Sequence, residues 1–153
     1  MFLTVNPFKK RAKKAETTRY VLSDLIHSKR LGNPCISLVG FSLGTRVIYF
    51  CLQKLQDSGS KVYDVLLLGG AAPLNVEILK KCSKMVTGRL INTYSKTDKI
   101  LSSLYSLSRL EAIRNWSLEV KGVENFYVTE FASGHLKYCE SLDIILSKVE
   151  YYF

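Results

Sequence analysis

The chain has 153 residues, 47% of them apolar and 23% charged, the balance of one folded domain with a single core rather than of a disordered chain. No apolar run approaches the ~20 residues that a membrane-spanning helix needs, and the apolar start, residues 1–8, precedes its basic residues, the reverse of a secretory signal. The formal charge is +9, but Lys9, Lys10, Arg11, Lys13 and Lys14 form one run; without them 17 basic residues face 13 acidic ones, a net of +4.

That run reads as a basic N-terminal arm over residues 1–15, either solvated or held by charge on an anionic membrane or an acidic partner. No zinc-finger spacing or RNA-recognition motif accompanies it, so nucleic acid is not expected. Residues 16–153 read as one domain. From Glu16 to Arg30 the spacing predicts a helix, with Val21, Leu22, Leu25 and Ile26 recurring at three-to-four intervals and Gly32-Asn33-Pro34 stopping it. His27 within it reads as a surface histidine. A short apolar run from Cys35 to Phe41 has the length and continuity of a strand buried on both faces. Helical period returns from Leu43 to Gln56 through Val47, Ile48, Cys51, Leu52 and Leu55. A second buried strand follows from Val62 to Leu68, then a helix from Asn75 to Met85, a third strand from Arg89 to Tyr94 and a helix from Leu101 to Ile113. A fourth strand is expected from Asn125 to Thr129, and a last helix from Leu136 to Val149 with Leu142, Ile145, Leu146 and Val149 inward. Strands alternating with helices predict an α/β fold with three layers and a mostly parallel sheet of about four to five strands.

The four cysteines, Cys35, Cys51, Cys82 and Cys139, make no CxxC pair, and only two histidines exist, so neither a metal site nor any other cofactor is expected. Cys35 and Cys51 sit in apolar segments and read as buried thiols. A reducing, intracellular setting fits: cytosolic, membrane-associated or organellar (mitochondrial), and not secreted.

The chemistry concentrates in Gly40-Phe41-Ser42-Leu43-Gly44, a G-x-S-x-G pattern with a strand before it and a helix after it. Such a turn lifts a serine hydroxyl above the sheet edge, and side chains in place of Gly40 and Gly44 are expected to collide with neighbouring backbone. The exposed amides of the helix N-terminus, that of Leu43 first, would stabilise an oxyanion. A serine nucleophile needs a base, and the base an orienting carboxylate. Asp98 follows the third strand in Tyr94-Ser95-Lys96-Thr97-Asp98, and His135 follows the fourth in Ala132-Ser133-Gly134-His135. The chain order Ser, Asp, His is that of α/β-hydrolases.

These residues, in Leu38-Val39-Gly40-Phe41-Ser42-Leu43-Gly44-Thr45-Arg46-Val47-Ile48-Tyr49, Leu66-Leu67-Leu68-Gly69, Gly88-Arg89-Leu90-Ile91-Asn92, Tyr94-Ser95-Lys96-Thr97-Asp98, Gly122-Val123-Glu124-Asn125 and Ser133-Gly134-His135-Leu136, give the chain a specific resemblance. It resembles the α/β-hydrolase-like domain of the transmembrane and coiled-coil domain-containing 4 family, formerly a domain of unknown function, over nearly its whole length. The resemblance implies a serine esterase or lipase, often membrane-associated, with Ser42, Asp98 and His135 as its triad.

A complete α/β-hydrolase has about eight strands, and this chain is expected to supply only the C-terminal half: a truncated α/β-hydrolase fold. The strand from Cys35 to Phe41 would then have one open edge, which another protein chain is expected to cover, with Met1 to Val5 able to pair along part of it. The loop that normally gives the second oxyanion donor is not expected within residues 1–34. Two functions follow: a serine hydrolase acting on acyl esters within a complex, or a non-catalytic subunit that keeps the hydrolase fold as a packing module.

Overall fold

The computed structural model describes residues 7–30, 32, 35–73, 75–108 and 117–152. Four strands, β1 (Leu38–Phe41), β2 (Val65–Leu68), β3 (Leu90–Tyr94) and β4 (Glu124–Tyr127), form one sheet in the order β1-β2-β3-β4 with every pairing parallel. Helix α1 (Pro7–His27) precedes β1. The helices α2 (Leu43–Leu55), α3 (Val76–Ser83) and α4 (Lys99–Ser108) begin after β1, β2 and β3, and α5 (Lys137–Glu140) and α6 (Leu142–Lys148) follow β4. In a parallel sheet every segment leaving a strand leaves from the same end, so Ser42 just past β1, the Asp98 loop after β3 and the His135 loop after β4 all emerge together.

Alternation along the strands divides the core into two faces. Val65, Leu67 and Leu90 pack on one side with Ile48, Cys51, Leu52 and Leu55 of α2 and Ile26 of α1. Leu66, Leu68 and Ile91 pack on the other with Tyr138 of α5, Ile145 of α6 and Val149. The result is the expected three-layer α/β fold. β2, central and covered on both faces, is buried at all four positions, which is why its sequence is an unbroken Val-Leu-Leu-Leu run.

Helix α1 lies alongside α2 and runs in the same direction. Glu16 forms an ion pair with Arg46, the Arg19 guanidinium sits 5.3 Å from the Phe50 ring centre, and His27 Nδ1 lies 3.1 Å from Ser60 Oγ just past α2. The Glu16–Arg46 pair is the polar part of this contact, with Arg46 buried beneath it.

Several details differ from the sequence expectation. α1 begins at Pro7 rather than Glu16, so the basic run is helical; Ala12 and Ala15 are the buried positions of its first turns. Val21, expected inward, is 71% exposed, because the buried stripe runs through Ala12, Ala15, Ser23 and Ile26 instead. Cys35 is exposed, while Cys51 and Cys82 are the buried thiols. β1 and β2 start three residues later than expected, at Leu38 and Val65. The last helix is broken at Ser141, whose hydroxyl donates to Phe131 O at 2.8 Å, and the break turns Leu142 outward to 37% exposure. The end of the helix expected from Leu101 to Ile113, and the segment Met1 to Val5, lie outside the described residues.

Candidate active site

Ser42 follows β1 directly and has φ 53° and ψ −117°, a strained backbone that only a well-supported turn holds. A serine at a helix N-cap ordinarily bonds its own helix amides. Here it makes no such bond, and its Oγ lies 2.7 Å from His135 Nε2. His135 Nδ1 in turn lies 2.7 Å from Asp98 Oδ2. The three residues proposed from sequence, each carried on a segment after a different strand, thus form one hydrogen-bonded row.

Asp98 is fully buried and divides its oxygens. Oδ2 meets the imidazole, while Oδ1 accepts the Leu101 amide at 3.0 Å, capping the start of α4. The helix therefore fixes the carboxylate that fixes the histidine. The loops after β3 and β4 are tied to each other as well: Thr129 Oγ1 accepts the Lys96 amide at 3.0 Å and donates to Ser95 Oγ at 3.1 Å. The Phe41 ring covers the His135 ring at a centroid distance of 4.8 Å, so the imidazole is held on one side by aromatic packing and at both nitrogens by polar partners.

The two elbow glycines prove different. A Cβ on Gly40 would lie 2.9 Å from the Gly44 carbonyl carbon and 2.6 Å from Ile48 Cδ1, so the turn closes on itself only with glycine there. A Cβ on Gly44 would meet nothing within 4 Å. The collision expected at Gly44 does not occur among the described residues. Leu43 begins α2, which puts its amide in the first turn of the helix, where amides have no intrahelical partner and can face a developing oxyanion.

Sequence reasoning missed three supporting residues. The Thr45 hydroxyl, wholly buried, donates to Ser42 O at 2.6 Å and accepts the Ala71 amide at 3.0 Å. It fastens the loop after β2 to the carbonyl of the strained serine. Gly69 has φ +51°, and a Cβ on it would lie 3.0 Å from the Tyr138 ring, so this loop also needs glycine where it crosses Tyr138. Among the described residues the buried Tyr138 hydroxyl has no hydrogen-bond partner; burial, and then the nearby Asp98 charge, hold its ionisation well above the ordinary tyrosine range. Thr45 and Gly69 lie inside the blocks that carry the family resemblance and Tyr138 outside them, but no spacing in the sequence assigned any of the three a role beside the serine. Among the described residues no group of three or more His, Cys, Asp or Glu is placed to hold a metal ion.

Residues 3–152 match the family described as "Protein of unknown function (DUF726)". The chain belongs to this family. Relatives within reach include an uncharacterized membrane protein of Schizosaccharomyces pombe, 35% identical over 97% of this chain, and the transmembrane and coiled-coil domain-containing protein STS1 of Oryza sativa, 37% identical over 85% of it. A third, from Saccharomyces cerevisiae, is named "Probable lipase MIL1" and is 32% identical over 97% of this chain. The family resemblance read from the sequence blocks is therefore borne out. The matched region is 20%, 20% and 14% of these three relatives' own lengths. Two of the relatives carry a membrane description in their names, whereas among the described residues no helix of this chain is long and apolar enough to cross a membrane.

Proposed function

We propose that this DUF726 domain is a serine hydrolase that cleaves acyl esters. Ser42 is the nucleophile, His135 takes its proton through Nε2 and returns it to the leaving alcohol, and Asp98 holds the imidazole through Nδ1. The Leu43 amide is one oxyanion donor. The observation that carries this reading is the row of two 2.7 Å contacts from Ser42 through His135 to Asp98, with the serine freed from capping by its own strained backbone. The lipase name borne by one relative points the same way. Turnover of p-nitrophenyl esters by the full chain tests it: Asp98→Asn should lower kcat by roughly 10³–10⁴-fold with little change in KM.

The site is completed, in this reading, by a further polypeptide along β1. Leu38 N bonds Asp64 O and Ser42 N bonds Leu68 O, so the alternate backbone groups of Val39 and Phe41 face away from β2. Val39 is 44% exposed, and glycine at position 44 costs a helix about 1 kcal/mol relative to alanine with no described neighbour to require it. A close-packed segment over Gly44 accounts for both, and it would be placed to contribute the second oxyanion donor. A non-catalytic packing subunit would need the same neighbour but no Ser42–His135 contact. Esterase turnover by the assembled protein separates the two.

A further inference from the structure

The parallel run of α1 and α2 puts the basic segment where its sequence position alone does not suggest. Glu16 is level with Arg46 through their ion pair, and both helices rise 1.5 Å per residue. Four residues back along each, Ala12 is level with Ser42. The exposed side chains of Lys10, Arg11, Lys13 and Lys14 therefore surround α1 at the height of the nucleophile, at the end of the sheet where the site opens. Ala12 and Ala15 are buried between them, so the cationic face belongs to a packed helix and keeps a fixed place.

The same end carries more exposed charge and apolar surface. Lys96 and Lys99 are exposed in the loop and first helical turn after β3. Leu136, next to His135, is 67% exposed, and Ile100 and Val76, both in the first turns of helices leaving this end, are exposed too. The acidic groups there are few: Glu16 is taken up by Arg46, Glu140 by Lys137, and Glu77 lies 4.0 Å from Lys80, leaving Glu130 in the loop after β4 and Asp143 in the first turn of α6 as exposed carboxylates against six exposed cations. An end that pairs a cationic rim with scattered apolar side chains fits a surface offering anionic groups over hydrocarbon. An acidic protein would complement the lysines but would leave Leu136 and Ile100 without a matching apolar layer.

We propose that the sheet end bearing Ser42 is a peripheral docking face for anionic lipid bilayers, with Lys10, Arg11, Lys13 and Lys14 giving the attraction and Leu136 and Ile100 entering the interface. The proposal deepens the hydrolase reading, because it orients Ser42 toward lipid, but the binding it describes needs no turnover. The membrane would be held by one face of the domain, and the substrate presented from that face.

The test is co-sedimentation of the full chain, carrying Ser42→Ala so that no lipid is consumed, with vesicles of phosphatidylcholine alone or containing phosphatidylserine. Binding should require phosphatidylserine and weaken steeply as salt rises from low ionic strength. Replacing Lys10, Arg11, Lys13 and Lys14 together by alanine, which keeps the helix, should weaken partition by about tenfold or more. Replacing Lys29, Arg30, Lys61 and Lys84, exposed residues at the opposite end of the sheet, removes the same charge and should have a far smaller effect. Equal loss from both sets would mean attraction by net charge without a docking face, and would overturn the proposal. Equal uptake by both vesicle types, or none, would overturn it as well. Absence of esterase turnover by the chain with Ser42 intact, alongside phosphatidylserine binding as expected, would refute the hydrolase reading alone.

Discussion

Thr45 performs no chemistry, yet it touches more of the nucleophile's support than any charged residue near it. Its hydroxyl joins the Ser42 carbonyl to the Ala71 amide, and it does so beneath a backbone conformation that costs ~1–3 kcal/mol to hold. Thr45→Val keeps the shape and removes both bonds. We expect it to slow acylation of Ser42 about tenfold, the equivalent of ~1.4 kcal/mol of lost positioning, while Thr45→Ser restores most of the rate; equal rates for Val and Ser would remove the positioning role. Tyr138 gives the opposite case. Its buried hydroxyl has no partner among the described residues, so Tyr138→Phe should raise stability by about 1 kcal/mol without loss of fold, measured as the shift in denaturant midpoint. A loss of stability would mean that the hydroxyl holds something the described residues do not include. The thiols make a third test at this scale. Burial pushes Cys51 up to about 12 and Cys82 up to about 11, leaving both protonated and shielded at neutral pH, whereas Cys35 and Cys139 are exposed. Maleimide should modify Cys35 and Cys139 in the native chain and reach Cys51 and Cys82 only on unfolding, read by intact mass.

At the scale of elements, strands were legible because a strand buried on both faces must be apolar without interruption. The runs at Leu66, Leu67 and Leu68 and at Leu38 and Val39 announce themselves, and their order with the intervening helices fixes the parallel sheet. The candidate site was legible for a related reason. Each of Ser42, Asp98 and His135 stands just past a strand, and a parallel sheet brings such positions to one end. Helix α1 was not legible in full. Its first buried positions are Ala12 and Ala15, small side chains hidden among lysines, so the period showed only from Val21 onward and even there pointed one residue astray. The unexpected partner was Glu16, which anchors α1 through buried Arg46. Because Arg46 is almost wholly buried and Glu16 partly exposed, removing the carboxylate alone leaves a charge with poor solvation. We expect Glu16→Ala to cost about 2 kcal/mol, between an exposed and a fully buried pair. Glu16→Leu with Arg46→Met should cost less than that single change, by the same denaturant measurement. A double variant less stable than Glu16→Ala would show that the pair contributes more than packing can replace.

For the whole molecule, the two core faces, the parallel order and the common strand end combine to put one serine, one imidazole and one carboxylate in line, in a domain of the DUF726 family. The sheet still has a free edge at β1 among the described residues, and Gly44 faces open space beside it. Both features lie next to Ser42, so a chain that covered this edge, as proposed above, would also sit beside the elbow. The measurement that bears most directly on the central claim is covalent labelling of the native full-length chain by a fluorophosphonate, located by peptide mass and compared with Ser42→Ala and His135→Ala. We expect a single adduct on Ser42, absent in Ser42→Ala and formed at least ~100-fold more slowly in His135→Ala. A folded chain whose Ser42 stays unlabelled, or labels equally fast without His135, would contradict the assignment of a serine hydrolase to this site.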